Sequence, residues 1–256
     1  MDSSKRNRTV SFVVPALNEE ANIEAATNAI LGAVDERVDD YEIILINDGS
    51  TDKTGALMEE LARRHDKVVM MHNPRNLGYG GTFKRGAAAA QMEYVVRICG
   101  DHSADATAIG EILDRLGRAD LVIPYIANPE LRTWGRRTAS RGFTIIINTL
   151  FGQRVRYYNH AVVFPNDYLR AIRITTDGFA YQAEALVKLL KAGGTYVEVG
   201  VLDQPRAFGK STALRPKNLL NVLKAIIRLV WEMNREGAIP QLPRQRTAPT
   251  PVSSRP

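Results

Sequence analysis

Asp48 is the residue from which chemistry is most readily read. It follows Ile43-Ile-Leu-Ile46, an apolar and mostly β-branched run that stops abruptly at Asn47-Asp48-Gly49-Ser50. Such a run predicts a strand buried on both faces, as in the middle of a parallel sheet. Ligands of open α/β sheets sit beyond the carboxyl ends of the strands, so Asp48 stands where a ligand would be met. Gly49 permits the tight turn. Ser50, Thr51 or Asp52 can cap a helix over Thr54–His65. Other strand ends carry comparable residues. Pro15-Ala16-Leu17-Asn18-Glu19-Glu20 follows the first strand, and Asn76, Gly78, Gly80 and Gly81 form a loop whose backbone can approach a ligand closely. Gly100-Asp101-His102-Ser103-Ala104-Asp105 ends a fourth strand, and a polar loop with Arg206, Lys210 and Ser211 follows the last.

The elements that must position these residues alternate. Strands are predicted at Thr9–Val14, through Ile43–Ile46, at Lys67–Met71, Tyr94–Cys99 and Leu121–Pro124. Helices are predicted at Ala21–Val34, Thr54–His65, Thr82–Ala90 and Ala108–Leu116. The alternation implies an α/β fold, a mainly parallel sheet with right-handed crossovers. After Tyr125 the pattern changes. Arg132–Arg141 reads as a basic loop leading into a helix, Gly142–Phe151 as its buried continuation, and Arg154–Phe164 as a short strand pair. A helix over Gly178–Ala192 and a strand over Thr195–Leu202 follow. A last helix, Asn218–Met233, carries an apolar stripe of Leu219, Leu220, Leu223, Ile226, Ile227, Val230 and Trp231 beside Lys217, Lys224, Arg228 and Arg235. The expected organisation is a flexible N-terminus (1–8), one domain (9–213), an amphipathic helix (214–236) and a disordered tail (237–256) rich in Pro, Arg, Thr and Ser.

The chain has 256 residues, 45% of them hydrophobic, and 34 Lys+Arg against 28 Asp+Glu. The basic excess fits nucleotides, phospholipid head groups or nucleic acid, and equally a solvated basic surface. No nucleic-acid recognition motif accompanies it. A single cysteine, Cys99, rules out an internal disulfide and fits a reducing cytoplasm. The first eight residues lack the apolar core of a secretory leader, and no stretch reaches the roughly 18 apolar residues of a membrane span. The expectation is a cytoplasmic protein, soluble or peripheral on the inner face of the membrane.

Five segments in order carry a resemblance. They are Val14-Pro-Ala-Leu-Asn-Glu-Glu20, Asn47-Asp-Gly-Ser-Thr-Asp-Lys-Thr54, Asn76-Leu-Gly-Tyr-Gly80, Gly100-Asp101, and Glu198 through Ser211. Together they resemble a family 2 glycosyltransferase with the GT-A (Rossmann-like) fold, in the branch of dolichyl-phosphate mannosyltransferases and bacterial polyprenyl-phosphate glycosyltransferases. The resemblance runs from about Thr9 to Ser211. It implies an inverting transferase that takes a sugar from a GDP- or UDP-sugar, with a polyprenyl phosphate as acceptor and Mg2+ or Mn2+ as cofactor. A soluble transferase acting on a glycan, protein or small molecule, or a nucleotide-sugar-binding pseudoenzyme, are the alternatives.

By the same resemblance, Pro15, Ala16, Asn18, Glu19, Asp48, Asn76, Gly78, Lys84, Gly100, Asp101, Glu184, Arg206 and Ser211 bind the nucleotide sugar. Asp101, Arg206 and Lys210 carry the catalysis. A carboxylate accepts hydrogen bonds from base N–H groups or ribose hydroxyls, and Arg offers bidentate donors to phosphate. The metal motif departs from the family's Asp-X-Asp. Cys99 stands at the first acid and Asp101 at the second; alternatively Asp101 is the first and Ser103 the second. A neutral thiol is a poor ligand for Mg2+, which wants hard oxygen donors. Asp101 is the expected metal ligand, with Asp105 or His102 as compensation. The acceptor-side segment Tyr157–Phe164 has lost most of the family's pattern, leaving Asn159 and His160 as contributors. The helix at 218–233, with Arg132, Arg136, Arg137 and Arg141, is expected at a membrane surface, or else packed on the core.

Overall fold

The computed structural model describes residues 8–204, 216–235, 239 and 241–243. The expected tail at 237–256 falls almost wholly outside the described residues, as do the first seven residues and the loop bearing Arg206, Lys210 and Ser211. Strands β1 (Thr9–Ala16), β2 (Asp40–Asn47), β3 (Val68–His72), β4 (Tyr94–Arg97), β5 (Leu121–Ile126), β6 (Val163–Pro165) and β7 (Tyr196–Val201) form one seven-stranded sheet. Its order is β3-β2-β1-β4-β6-β5-β7. β3, β2, β1 and β4 are parallel neighbours, β6 runs antiparallel to both β4 and β5, and β5 and β7 are parallel. The helices are α1 (Ile23–Val34), α2 (Thr54–Arg64), α3 (Tyr79–Ala89), α4 (Ala106–Leu113), α5 (Trp134–Phe151), α6 (Asn166–Ala171), α7 (Tyr181–Lys191) and α8 (Pro216–Met233).

Alternation along the central strands feeds two cores. Phe12, Val14, Ile43 and Leu45 pack with Ile23, Ile30, Met58, Ile109 and Ile112 on the face of α1, α2 and α4. Val13, Ile44 and Ile46 pack with Phe83, Tyr181 and Leu186 on the opposite face. Apolar side chains are therefore needed at every position of Ile43–Ile46, which is why the run reads as continuous. The order places the reversal of strand sequence between β1 and β4. The two crossovers depart in opposite directions there, leaving a crevice at the carboxyl ends.

Three expectations in the second half are corrected. Arg132–Arg141 is not a loop: a 3-10 turn (Pro129–Leu131) leads directly into α5, one continuous helix. Its second half is not buried. Only Ile147 and Phe151 are fully inside, while Ile145, Ile146 and Leu150 are exposed and Trp134 is 74% exposed. The segment at 154–164 is not a strand pair. It is irregular until β6, and its backbone is held by side chains instead, with Asn148 bonding Val155 N and O. Helix α6 was not expected. In α8 the apolar stripe divides: Ile226 and Leu229 point inward, whereas Leu219, Leu220, Leu223, Ile227 and Trp231 remain exposed.

Candidate functional site

The turns after β1 and β2 interlock through side chains. Asn18, at a φ of 56°, donates its N–H to Ser50 Oγ (3.0 Å) and accepts from Thr51 N (2.8 Å). Asparagine tolerates this left-handed backbone better than most residues. Glu19 N donates to Thr54 Oγ1 (2.8 Å), and Glu20 Oε2 accepts from Lys53 N (2.9 Å). Of the three helix-capping residues expected, it is Asp52 that accepts the Thr54 N–H, at 3.0 Å. The end of β4 closes on the same place. A Cβ at Gly100 would lie 2.9 Å from Ala16 Cβ and 3.3 Å from Pro15 O, so only glycine allows this approach. Glu19, Asp48 and Asp101 are thus brought to one edge of the sheet, around the β1–β4 crevice.

Asp48 is buried and has a structural task as well. Its Oδ1 accepts from Asn73 Nδ2 (2.7 Å) and from Leu77 N (2.8 Å), so it organises the β3–α3 loop. Arg85, in the middle of α3, bonds Asn73 Oδ1 and His72 O. Asp48 Oδ2 carries no hydrogen bond to another described residue, which leaves one acceptor for a ligand.

The glycines of the β3–α3 loop serve a neighbour of their own chain. Gly80 N and Gly81 N both donate to Asp177 O (2.7 and 3.2 Å). A Cβ at Gly80 would meet Thr176 O, Gly178 O and Tyr181 Cβ at 2.7–2.9 Å, and Gly78 adopts φ 79° against Asp177 O. Lys84 pairs with Asp177 Oδ1 at 2.7 Å. Arg75, Asn76, Leu77, Gly81, Lys84 and Asp177 line a cleft of about 340 Å³. The loop carrying Asp177 is fixed from below by Glu184. That carboxylate is buried and accepts from Thr175 N, Thr176 N and Lys188 Nζ at 2.8–2.9 Å. Burial pushes the Glu184 carboxyl up, but Lys188 and the threonine donors outweigh it and hold it below the ordinary range. Glu184 therefore acts inside the scaffold, and Lys188 ties it on to Glu232 of α8 at 2.7 Å.

At the metal motif, Asp101 Oδ1 accepts from Ser103 N at 3.2 Å. Asp105 is occupied: it caps α4 through Ala108 N (2.9 Å) and accepts from Gln204 Nε2 (2.8 Å). Cys99 turns inward, its Sγ 2.8 Å from both Tyr79 Oη and Arg97 Nη1. Among the described residues no three His, Cys, Asp or Glu side chains gather as a metal-binding group. Asp101 fits a cation that arrives on a diphosphate, since Mg2+ commonly needs one or two carboxylates plus substrate phosphates.

His160, in the segment Tyr157–Phe164, enters a closed network with residues of other elements. His160 is buried; its Nδ1 accepts from Ala161 N (2.8 Å), which leaves Nε2 to donate to Asp203 Oδ1 (3.0 Å). Asp203 also pairs with Arg132 (2.8 Å) and exchanges two backbone bonds with the Asn128 amide. Burial pushes Asp203 up, but His160 and Arg132 outweigh it and leave it below the usual carboxylate range. Gln204 N donates to Ser103 O at 3.0 Å, fixing the chain just after β7 beside the motif loop. Sequence reading singled out none of Asn73, Arg97, Asp177 or Asp203. Asn73 ends a strand as Asp48 does, and Arg97 is a charge inside an apolar strand; both were visible signals.

The family model described as glycosyl transferase family 2 matches residues 11–173, more than half of the chain. Glycosyltransferase AglD of Haloferax volcanii is 24% identical over 234 residues, covering 88% of this chain and 37% of that protein. The undecaprenyl-phosphate 4-deoxy-4-formamido-L-arabinose transferase of Edwardsiella ictaluri is 26% identical over 159 residues (62% and 49%). Dolichyl-phosphate beta-glucosyltransferase ALG5D of Trichomonas vaginalis is 29% identical over 106 residues (40% and 32%). The chain spans a third to a half of the length of these curated relatives. Among solved structures, glucosyl-3-phosphoglycerate synthase from Mycobacterium tuberculosis, in complex with Mn2+, UDP-glucose and phosphoglyceric acid, superposes with a TM-score of 0.67 at 21% identity, covering 90% of this chain and 82% of that one. The same enzyme with Mg2+ and UDP gives 0.67 at 20% identity, with the same coverage. The matched span reaches from β1 into the segment after α6 and includes each of the first four strand-end turns, so that the chain belongs to glycosyl transferase family 2 and has the GT-A fold.

Proposed function

We propose that the chain moves a sugar from a GDP- or UDP-sugar to a polyprenyl phosphate at a membrane surface. One observation carries the reading: the interlocked turns after β1, β2 and β4 gather Glu19, Asp48 and Asp101 at the sheet's switch point. In this scheme Glu19 and the open oxygen of Asp48 accept from base or ribose. An acceptor oxygen attacks the anomeric carbon, the bond to the nucleoside diphosphate breaks, and the configuration inverts. Asp101 would hold a divalent cation, which when bound offsets charge growing on the leaving diphosphate. Arg206, Lys210 and Ser211 lie outside the described residues, and their proposed contact with phosphate rests on the resemblance alone.

A phosphate acceptor suits a site in which the one imidazole of the Tyr157–Phe164 segment is already engaged. A phosphomonoester has a second pKa of about 6 and is largely dianionic at pH 7, so it needs no proton removed. His160, the imidazole in the acceptor-side network, is engaged at both nitrogens. A lipid-borne acceptor is supported by the outward apolar residues of α5 and α8, two helices that pack together. Trp134, Ile145, Ile146 and Leu150 on one and Leu219, Leu223, Ile227 and Trp231 on the other are interspersed with Arg136, Arg137, Arg141, Lys224 and Arg228. Such a face suits acyl chains beneath anionic head groups. No helix among the described residues is long and apolar enough to cross a membrane. The reading is of a cytoplasmic protein, peripheral on the inner face.

The test is transfer from radiolabelled GDP- and UDP-sugars to polyprenyl phosphate in detergent, against hydrophilic acceptors. Product in the lipid phase is the expected result. Product on a hydrophilic acceptor alone would replace the lipid reading with a soluble transferase. The inward turn of Cys99 favours one second reading, a nucleotide-sugar-binding pseudoenzyme, which nucleotide binding without any transfer would establish.

A further inference from the structure

An unbroken run of polar contacts joins the outward-facing helix α8 to the loop that organises the donor side. Lys188, on α7, lies at its centre with 3% of its side chain exposed. Its ammonium reaches three acceptors: Glu232 Oε1 of α8 (2.7 Å), Glu184 Oε1 (2.8 Å) and Arg173 O (2.6 Å). Glu184 in turn accepts from Thr175 N (2.8 Å), Thr175 Oγ1 (3.0 Å) and Thr176 N (2.9 Å). The next residue, Asp177, accepts from Gly80 N and Gly81 N at its carbonyl and pairs with Lys84 at its carboxylate. Leu77, in the same glycine loop, donates to Asp48 Oδ1. At the far end of the run the seat is small. Of the 18 residues of α8 only Ile226 and Leu229 are buried, while Leu223, Ile227 and Trp231 face out.

A helix held so lightly can take two arrangements, seated on α7 with Glu232 on Lys188, or lifted from it. Lifting removes one of the two carboxylates on Lys188 and admits water to the Lys188–Glu184 pair, whose attraction falls as the local dielectric rises. Glu184 then holds Thr175 and Thr176 less firmly, and the glycine loop loses its brace. A bilayer discriminates between the two arrangements. α5 and α8 pack together, so they offer one continuous apolar face only while α8 is seated. A surface that covers both helices binds the seated form more tightly, and that difference is what any shift of population requires. Arg136, Arg137, Arg141, Lys224 and Arg228 along the face match anionic head groups. We infer that an anionic membrane activates the donor site. Docking through α5 and α8 clamps Glu232 on Lys188 and, through Glu184 and Asp177, sets the loop that carries Leu77 and Lys84 to receive the nucleoside diphosphate. The inference rests on the membrane and donor-site readings and adds regulation to them. Glu232 is a positioning residue, since it acts through Lys188.

The experiment is calorimetric titration of the full chain with UDP and with GDP in Mg2+, alone and with phosphatidylglycerol vesicles, paired with vesicle flotation with and without nucleotide. Vesicles are expected to raise nucleotide affinity about fivefold or more, and saturating nucleotide to raise vesicle affinity by the same factor, because coupling between two ligands is reciprocal. Glu232→Gln is expected to float still and to keep its vesicle-free affinity within about twofold, while its vesicle-induced gain falls below about twofold. Glu232→Asp, which keeps the carboxylate, should recover part of the gain. Amide hydrogen exchange gives a second readout: vesicles should slow Gly80, Gly81, Thr175 and Thr176 in wild type and not in Glu232→Gln. Independent affinities in a wild type that both floats and binds nucleotide overturn the inference alone, as does a full gain retained by Glu232→Gln. If Glu232→Gln does not fold, the wild-type reciprocity and exchange rates decide. A wild type that fails to float overturns the membrane reading together with this inference, and one that binds neither UDP nor GDP overturns the donor-site reading with it.

Discussion

Substituting Asp48 perturbs two things at once, and the structure separates them. Oδ1 holds the Asn73 amide, which is buried, and the Leu77 N–H, which is partly buried. Asp48→Ala leaves these donors without their acceptor, and Asn73 is itself gripped by Thr82 and Arg85, so it has little room to relax. Hydrogen bonds to a charged group are worth about 1.5–3 kcal/mol each, and entering water recovers part of that, so the expected cost is about 2–4 kcal/mol. For a domain of this size, that lowers the melting temperature by about 5–15 °C. Asp48→Asn keeps an acceptor at Oδ1 and should cost about 1 kcal/mol or less. It nevertheless presents an amide where the open oxygen was, and should weaken UDP or GDP binding about tenfold or more. Thermal unfolding of both variants, with calorimetric titration of each nucleotide, measures the pair. An unchanged melting temperature for Asp48→Ala would refute the keystone role in the β3–α3 loop. Wild-type nucleotide affinity in Asp48→Asn would refute its place in the donor site.

Glu184→Gln breaks a buried ion pair and should cost about 3–5 kcal/mol in urea unfolding at pH 7. Because the folded Glu184 carboxyl lies below the ordinary range, its contribution is complete above the unfolded value near 4.3 and is lost as pH falls through the folded value. Wild-type stability should therefore drop more than that of Glu184→Gln on acidification from pH 5 to pH 3. Gly80→Ala forces a Cβ against two carbonyl oxygens of the Asp177 loop, for about 1–3 kcal/mol of overpacking in the same assay. Replacing Leu223, Ile227 and Trp231 together by serine should abolish flotation with anionic vesicles while changing stability by only about 0.5 kcal/mol per site, as all three are exposed; retained flotation would remove α8 from the membrane reading.

The first half of the fold was legible because β1, β4 and the second half of β2 are buried on both faces, and the strands end in turn signals. Ile43–Ile46 followed by Asn47-Asp48-Gly49 could hardly be anything else. The second half was harder for physical reasons. Helix α5 lays half of its apolar residues outward, so composition suggested burial where packing does not supply it. The irregular run before β6 is stabilised by Asn148, Glu198 and Gln182 reaching from distant elements, which no local pattern encodes. At the site, the strand-end positions of Glu19, Asp48 and Asp101 were legible from the alternation of elements, whereas the contacts that Gly78 and Lys84 make were not. Their partner, Asp177, lies about a hundred residues on and belongs to no motif. Arg97 was passed over as part of an apolar strand, although an arginine in such a place always has something to answer to.

The reversed direction of β6 has a consequence for how this molecule can change over time. Since β6 runs against β4 and β5, its leading end, with His160 just before it, arrives at the same rim as their trailing ends. Everything inserted ahead of β6, including α5, can be lengthened, rebuilt or exchanged without touching the registers of β3, β2, β1 and β4. In the proposed scheme, novelty in the acceptor can thus accumulate on one flank while the flank carrying Glu19, Asp48 and Asp101 stays as it is.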